Sequence, residues 1–257
     1  MATDGTILRA EALSKRFGGV VAVNRASLQV REGSFHAVIG PNGAGKTTLF
    51  NLLSGALLPD GGRVWFGARD ITRLAPHRRA RLGIARTFQI VSLFAEMTVL
   101  ENVLVAVLAR RGRIVNPLRP YLAYRDECSE AAAILKGLEL ERFADWPVTS
   151  LSYGDRKFVE IAMAFALRPR LLLLDEPTAG MGLHERTAAM RTIRRLAAEQ
   201  GLTVLFTEHD MDVVFGYADI ITVMHQGRVI AEGPPEAISQ RADVQEIYLG
   251  ADRSKGP

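Results

Sequence analysis

Residues 40–48, GPNGAGKTT, constrain this chain more than any other stretch, because they meet the phosphate-binding pattern G-x-x-x-x-G-K-[ST] without a mismatch. Residues 34–39 predict a short buried strand before the loop, and residues 46–53 predict the helix that follows it. The backbone N–H groups of such a loop add to the partial positive charge at the helix N-terminus and hold a polyphosphate. The stretch therefore predicts a nucleotide site.

Two side chains of this loop have predicted roles of their own. Lys46 would reach the β- and γ-phosphates, and the Thr47 hydroxyl would be a Mg²⁺ ligand. The alternative is a Gly-rich turn that matches by chance, and the order of strand, loop and helix argues against it. The predicted nucleotide-binding residues of the loop are Asn42, Gly43, Ala44, Gly45, Lys46, Thr47 and Thr48.

The composition is that of an ordinary soluble globular protein, with 48% hydrophobic and 23% charged residues in 257. The net charge of +4 comes with scattered arginines, so nucleic acid is not implied as a partner. Cys128 is the only cysteine, which excludes an intrachain disulfide and indicates a reducing compartment. Because the sequence has neither a secretory signal pattern nor a window of ~18 apolar residues, we expect it to reach a membrane only through a partner.

The order of strand and helix patterns predicts one α/β domain over residues 1–257. Residues 7–39 are strand-rich and predict an antiparallel layer, while residues 98–108, 126–138 and 152–167 have helical character. From Arg170 strands and helices alternate again, which predicts a mixed sheet with crossovers. We therefore expect a core of about 5–89 and 166–250, with a helical subdomain of about 90–165 inserted in it.

Two carboxylates, Asp175 and Glu176, end the apolar run 171–174. Such a run predicts a strand buried on both faces of a parallel sheet, whose carboxyl edge is where ligands bind in these folds. Asp175 can hold Mg²⁺, and Glu176 can act as the general base that polarises the attacking water. The alternative is a pair of capping carboxylates at the end of a strand.

Residues 151–155, LSYGD, are similar to the LSGGQ segment of ABC transporters, and the chain resembles the nucleotide-binding subunit of that family from about residue 8 to 250. Two positions depart, Tyr153 for the first Gly and Asp155 for the Gln. Ser152 followed by Asp155 also fits a capping box that opens the next helix. The two interpretations are compatible, because a capped helix N-terminus is itself a phosphate site.

The resemblance implies a phosphate-loop ATPase core that uses ATP and Mg²⁺, and it implies further roles. Phe17 would stack on adenine, Gln89 would contact Mg²⁺ and the attacking water, and His209 would touch the γ-phosphate. Ser152 and Gly154 would close in trans over the nucleotide of a second chain. Gly182 stands where many relatives have an Asp that joins two copies. We expect the carboxylate of Asp155 to face its own helix, because near a γ-phosphate it would be repulsive.

Several segments resemble one branch in particular, the first ATPase subunit of branched-chain amino acid importers. They are residues 16–19, 39–53, 86–102 and 247–250. The branch also contains importers of urea, short amides and aromatic acids. The resemblance implies ATP hydrolysis coupled to transport, with the chain peripheral on the cytoplasmic face of the inner (plasma) membrane. Implied partners are membrane permease subunits, a second ATPase subunit in a homo- or heterodimer and, indirectly, a periplasmic or extracellular binding protein.

The surface near residues 91–97 would dock on a membrane subunit, with Phe94 either a hydrophobic anchor or a buried core residue. Three other functions compete with an importer subunit. A phosphate-loop kinase or GTPase would leave residues 151–155 unexplained. An ATPase of another ABC system, or a non-transport ABC regulator, also fits the motifs, although such regulators usually carry two cassettes.

Overall fold

A computed structural model of the chain describes residues 5–87, 93–113 and 124–253, with side chains described to residue 247. Ten strands and nine α-helices lie within these ranges. The strands are β1 (Thr6–Phe17), β2 (Val20–Arg31), β3 (Phe35–Ile39), β4 (Gly61–Phe66), β5 (Arg69–Asp70), β6 (Ile84–Arg86), β7 (Leu171–Asp175), β8 (Thr203–Thr207), β9 (Ile220–His225) and β10 (Arg228–Gly233). The helices are α1 (Lys46–Ser54), α2 (Pro76–Arg81), α3 (Val99–Arg110), α4 (Arg125–Gly137), α5 (Tyr153–Ala166), α6 (Leu183–Glu199), α7 (Met211–Tyr217), α8 (Pro235–Ser239) and α9 (Ala242–Arg253).

The strands form two sheets. The first is the antiparallel sheet β2-β1-β4-β5, and the second is the six-stranded sheet β10-β9-β3-β8-β7-β6. In the second sheet the neighbours from β9 to β6 are parallel, and β10 pairs antiparallel with β9. The carboxyl ends of β3, β8 and β7 therefore meet at one edge. The predicted α/β class, with a mixed sheet and an N-terminal antiparallel layer, is confirmed.

The central sheet is buried on both faces, as the apolar run in β7 predicts. Leu172 and Leu174 belong to one hydrophobic cluster, and Leu171 and Leu173 belong to the other. This alternation follows from the two-residue period of a strand. The first cluster joins the sheet to α3, α4 and α5, and the second joins it to α1 and the antiparallel sheet.

Helix α3 begins as the sequence predicts. Thr98 is the N-cap: its hydroxyl accepts from the Glu101 N–H at 3.2 Å, and the Glu101 carboxylate accepts from the Thr98 N–H at 2.8 Å. This reciprocal pair is a capping box, which satisfies two donors that a helix start leaves free. Helices α4 and α5 pack against α3. None of the helices in the described ranges is long and apolar enough to cross a membrane.

Some elements differ from the prediction. Between residues 80 and 97, where the sequence pattern is weak, α2 ends and β6 pairs with β7 at the sheet edge. Helices α8 and α9 follow β10 in a region for which no helix was predicted. Phe17 is the last residue of β1, and it pairs with Val20.

Candidate functional site

The phosphate loop lies between β3 and α1. Gly45, the residue before α1, has φ 100, and a Cβ there would lie 2.3 Å from the carbonyl oxygen of Ala22. The Ala44 carbonyl accepts from the Gly227 N–H at 3.0 Å, and the Gly227 carbonyl accepts from the Asn24 N–H at 2.8 Å. The loop is thus held against β2 and the β9–β10 turn in a backbone conformation that favours glycine.

Lys46 is buried at the start of α1. Its Nζ donates to the carbonyl oxygens of Gly40 at 2.6 Å and Pro41 at 3.2 Å. Burial lowers the pKa of Lys46, and the nearby carboxylates of Glu176 and Asp175 oppose that shift. A cation whose hydrogen-bond acceptors are neutral carbonyls keeps its charge available for an anionic ligand.

Asp175 ends β7 and is fully buried. Its Oδ1 accepts from the Thr207 hydroxyl at 2.8 Å, and its Oδ2 forms an ion pair with the Arg86 guanidinium at 3.1 Å. Arg86 also donates to Asn51 Oδ1 at 2.6 Å and to Ser54 Oγ at 2.8 Å. Asp175 is therefore fixed to β8, β6 and α1 together. Sequence reasoning gave Arg86 no role, because β6 was not predicted.

The predicted Mg²⁺ ligands fit a hard cation. A carboxylate and a hydroxyl, from Asp175 and Thr47, are the oxygen donors that Mg²⁺ takes, and a carboxylate that accepts two bonds still has lone pairs to offer. The third predicted ligand, Gln89, lies outside the described residues. Within the described residues no cluster of three or more His, Cys, Asp or Glu could hold a metal. The oxygen donors of Asp175 and Thr47 suit an ion that a substrate's phosphates also hold.

Glu176 and His209 form a contact at this edge, in which the side chain of Glu176 is 20% exposed and that of His209 is 45% exposed. Glu176 Oε1 lies 2.7 Å from His209 Nε2. The Glu176 backbone has φ 50, a left-handed conformation that costs about 1–3 kcal/mol in a non-glycine residue. Its N–H donates to the Thr207 carbonyl at 3.2 Å and hydroxyl at 3.0 Å, which holds it in place. A partly exposed carboxylate beside an imidazole can accept a proton from water.

The LSYGD segment opens α5. Ser152 is the N-cap, and its Oγ accepts from the Asp155 N–H at 3.1 Å and donates to Asp155 Oδ2 at 2.6 Å. The carboxylate of Asp155 thus faces its own helix, as expected. A Cβ on Gly154 would lie 3.3 Å from Met181 Cγ, so this turn lies against the segment that follows Glu176.

Two predicted aromatic contacts are exposed. Phe17 is 48% exposed, and Lys15 Nζ lies 5.9 Å from the centroid of its ring. Phe94 is also 48% exposed, which excludes the alternative of a buried core residue. Its backbone N–H donates to Asn102 Oδ1 at 2.8 Å, so the segment before α3 is attached to that helix.

The structure brings together some of the predicted site residues. Lys46, Asp175, Glu176 and His209 meet at the carboxyl edge of β3, β7 and β8, while Ser152 and Gly154 lie on the first turn of α5. A phosphate loop, a buried carboxylate and a carboxylate–imidazole pair on one edge define the class of a phosphate-loop nucleotide-binding protein.

Comparison with known proteins identifies the family within this class. The sequence model of the ABC transporter family matches residues 23–179, and that of a branched-chain amino acid ATP-binding cassette transporter matches residues 228–254. The chain therefore belongs to the ABC transporter family, as the sequence predicted. It is 41% identical over 249 residues to the high-affinity branched-chain amino acid transport ATP-binding protein LivG of Salmonella typhimurium, across 95% of this chain and 98% of that protein.

A second relative and two solved structures are similar to the chain over most of its length. The branched-chain amino acid transport protein BraF of Pseudomonas aeruginosa is 41% identical over 251 residues, across 95% of this chain and 98% of that protein. Among solved structures, a nucleotide-free ATP-binding cassette from an ABC transporter superposes with a TM-score of 0.81 at 35% identity, across 95% of this chain and 98% of that chain. A dimeric cassette in a post-hydrolysis state, bound to ADP and Pi, superposes at 0.76 with 27% identity, across 89% and 98%.

Proposed function

We propose that this chain is the ATP-hydrolysing subunit of an ABC importer, and that its site is one half of a dimer interface. The observation that carries the proposal is the convergence of Lys46, Asp175 and the Glu176–His209 pair at one sheet edge, beside the phosphate loop. Binding, metal coordination and water activation each have a residue of the right chemistry there. Family membership supports ATP as the nucleotide.

In this proposal each residue keeps the role that the sequence predicted. Lys46 and the backbone N–H groups of residues 40–48 bind the phosphates of ATP, and Phe17 stacks on its adenine. Asp175, Thr47 and Gln89 would hold Mg²⁺, which neutralises charge that develops on the phosphates. Glu176 takes a proton from the attacking water, and His209 contacts the γ-phosphate and orients the carboxylate at 2.7 Å.

Ser152 and Gly154 act in trans. They lie on the first turn of α5, whose backbone N–H groups and helix dipole favour an anion. Two exposed apolar side chains accompany this surface. Tyr153 is on the turn itself, and Leu183 begins α6 two residues after Met181, which lies against Gly154. Exposed apolar surface of this kind is typical of protein interfaces. A second ATPase chain, identical or related, would cover it and receive Ser152 and Gly154 over its own ATP.

We further propose that different parts of the chain bind the nucleotide and contact the membrane subunit. Residues of about 5–89 and 166–250 form the nucleotide-binding core, and residues of about 90–165 form a helical subdomain whose surface near residues 91–97 meets a membrane permease subunit. The exposed ring of Phe94 supports this docking surface. The chain would then work as a peripheral subunit on the cytoplasmic face of the inner (plasma) membrane. A periplasmic or extracellular binding protein would deliver cargo to the permease.

Branched-chain amino acids, or related small amides and acids, are the proposed cargo. The support is kinship: LivG and BraF are named as branched-chain amino acid transport proteins, and the matching C-terminal model carries the same description. Purification of the membrane partners, followed by a screen of amino acids and amides for stimulation of ATP hydrolysis in the reassembled complex, tests it. Stimulation by none of them would favour another ABC system or a non-transport regulator.

The variant Glu176→Gln tests the hydrolytic site. The amide keeps the shape of the side chain but cannot accept the proton of water, so we expect ATP binding to persist, turnover to fall at least 100-fold, and an ATP-held dimer to accumulate in size-exclusion chromatography. Glu199→Gln is the matched control, because that glutamate lies at the exposed end of α6 and its partner among the described residues is Arg195 on the surface. Unchanged hydrolysis in Glu176→Gln would exclude its role as the base.

A further inference from the structure

Glu208 is a buried carboxylate that the proposed mechanism does not use. It stands between β8 and His209, and only 4% of it is exposed. Its Oε1 accepts two hydrogen bonds from Thr178, from the N–H at 2.8 Å and from the hydroxyl at 2.7 Å. Its Oε2 accepts from the His209 N–H at 3.3 Å. Sequence reasoning gave it no role, because its partner lies 30 residues away.

The Glu208–Thr178 contact runs beside the proposed catalytic pair. Thr178 follows Glu176 by two residues, and Glu208 directly precedes His209, so two contacts join the same two segments. The outer contact, between Glu176 and His209, is partly exposed, whereas both residues of the inner contact are buried. Hydrogen bonds to an ionised acceptor in a dry site are strong and cannot be exchanged readily for water. The inner contact therefore fixes the backbone from which Glu176 projects.

The segment beyond Thr178 leads to the first turn of α5. Gly180 has φ 81, and a Cβ there would lie 2.9 Å from Cδ1 of the Tyr153 ring. Met181 lies against Gly154 in the same way. A segment of four residues, 178–181, thus connects Glu208 at one end with the turn that carries Ser152 and Gly154 at the other. Tyr153, where the family has Gly, fits because position 180 has no side chain.

Lys157 adds a buried charge on the same side. This residue of α5 is 1% exposed, and among the described residues its Nζ has no hydrogen-bond partner. Burial lowers the pKa of Lys157, and the carboxylates of Glu160, Glu208, Glu176 and Asp175 oppose the shift, in that order. The cation lies in the field of several buried carboxylates, which compensates the charge of Glu208 and attracts α5 toward this edge of the sheet.

We propose that Glu208 is a positioning residue: through Thr178 it fixes the segment 176–181, and so sets both the carboxylate of Glu176 in its own site and the turn of α5 that faces the nucleotide of the partner chain. The inference rests on the proposed ATP hydrolysis. The contact through Thr178 would link the residues that act on the chain's own nucleotide with the turn of α5 that faces the partner's nucleotide. It lies near Gly182, which stands where many relatives are expected to have an Asp.

Glu208→Gln tests the inference in the full-length chain, assayed alone or with the partner subunits that it needs for turnover. The amide cannot accept from Thr178 and His209 at once, since its NH₂ group must face one of these donors. We expect kcat for ATP to fall at least 10-fold, with KM and the Kd of ATP unchanged within twofold. Backbone hydrogen exchange at residues 176–181 and 153–155 should become at least 10-fold faster.

Three further variants separate positioning from general damage. Thr178→Val removes the hydroxyl and should lower kcat severalfold, whereas Thr178→Ser keeps it and should restore kcat to within twofold of the unmodified chain. Glu232→Gln is the matched control, because Glu232 accepts from the Thr222 hydroxyl at 2.8 Å elsewhere in the sheet. It should leave kcat and the exchange of both segments unchanged.

Two results would overturn the inference. One is an unchanged kcat in Glu208→Gln and Thr178→Val in a chain that hydrolyses ATP. The other is a loss of kcat, ATP affinity and thermal stability in parallel, which would indicate a merely structural carboxylate. Failure of the proposed function is a different outcome: the unmodified chain would bind no ATP, and Lys46→Ala would change nothing. The exchange measurement needs no turnover, so it tests the contact in either case.

Discussion

Arg79 closes the C-terminal end of α1, the helix that starts at the phosphate loop. It is fully buried, and its guanidinium donates to four carbonyl oxygens: Leu52 at 2.8 Å, Leu53 at 2.6 Å, Leu74 at 2.9 Å and Thr72 at 3.0 Å. Two of these carbonyls belong to the last turn of α1, where carbonyls lack the usual i+4 donors and carry partial negative charge. Leu52 also accepts from the Gly55 N–H at 3.3 Å. Arg79→Met removes the donors and keeps most of the aliphatic volume.

The magnitude follows from two opposing contributions. Hydrogen bonds from a charged donor contribute roughly 1.5–3 kcal/mol each, so four of them give about 6–12 kcal/mol. Against this, burial lowers the pKa of Arg79 to about 10 in spite of the nearby Asp70, which corresponds to a cost of about 3 kcal/mol for the cation. Even the lower end leaves a net loss of about 3 kcal/mol in the free energy of unfolding when Arg79 is replaced.

Thermal unfolding followed by circular dichroism measures this loss. For a chain of this size about 3 kcal/mol corresponds to a midpoint about 6–12 °C lower. Arg78→Met is the matched control, since Arg78 is exposed on the same helix and its replacement should stay within about 0.5 kcal/mol. Arg79→Lys should recover only part of the loss, because an ammonium group lacks the planar fork. If the unfolding midpoint of Arg79→Met lay within 2 °C of that of the unmodified chain, Arg79 would not stabilise the C-terminal end of α1 as argued.

Three other predictions address the site and the core. Lys46→Ala should raise the Kd of ATP at least 10-fold in equilibrium dialysis, because it removes the cation of the phosphate loop, and normal affinity would contradict that assignment. Asp155→Gln should leave ATP hydrolysis unchanged or raise it, because the carboxylate faces Ser152; a collapse of turnover would show that its capping bond matters more. His36 is buried, and burial lowers its pKa to about 4 against the opposing charge of Asp219. The unfolded chain binds a proton below about pH 6.5 and the folded chain does not, so stability is complete above pH 6.5 and falls toward pH 4, by about 2 kcal/mol between pH 7 and pH 5. His36→Gln should flatten that slope in urea titrations, and an unchanged slope would contradict the buried neutral imidazole.

Elements with a strong hydrophobic pattern could be predicted from the sequence, whereas β6 and α2, which lack such a pattern, could not. The four leucines of β7 and the amphipathic pattern of α6 are strong hydrophobic signals. The burial of these side chains decides which structure each segment forms. Strand β6 has three residues, and its place depends on pairing with β7, from Ile84 opposite Leu171 to Arg86 opposite Leu173. Helix α2 has no apolar face, because its buried side chain is Arg79. Its packing depends in part on the carbonyls of Leu52 and Leu53, which belong to another helix.

The same distinction holds within the candidate site. Asp175 and Glu176 could be placed at a sheet edge because they end a buried run. Their partners could not be found, because β7 lies next to β8 only in the folded sheet, which brings residues 175–178 beside 207–209. The pairs Glu176–His209 and Thr178–Glu208 both follow from that single adjacency. A prediction that included the sheet order would have found them.

Charge balance at this edge explains why ligand and metal belong together in the proposed mechanism. The carboxylates of Asp175 and Glu176 face the cations of Lys46 and Arg86, so the edge is close to neutral before an anion arrives. A polyphosphate adds several negative charges in a site where carboxylates are already buried, and no further cation of the described phosphate loop faces them. The oxygen donors of Asp175 and Thr47 can recruit that missing positive charge as Mg²⁺ together with the nucleotide. Lys157, buried in α5, is within electrostatic reach of Glu160, Glu208, Glu176 and Asp175 and offsets part of their negative charge.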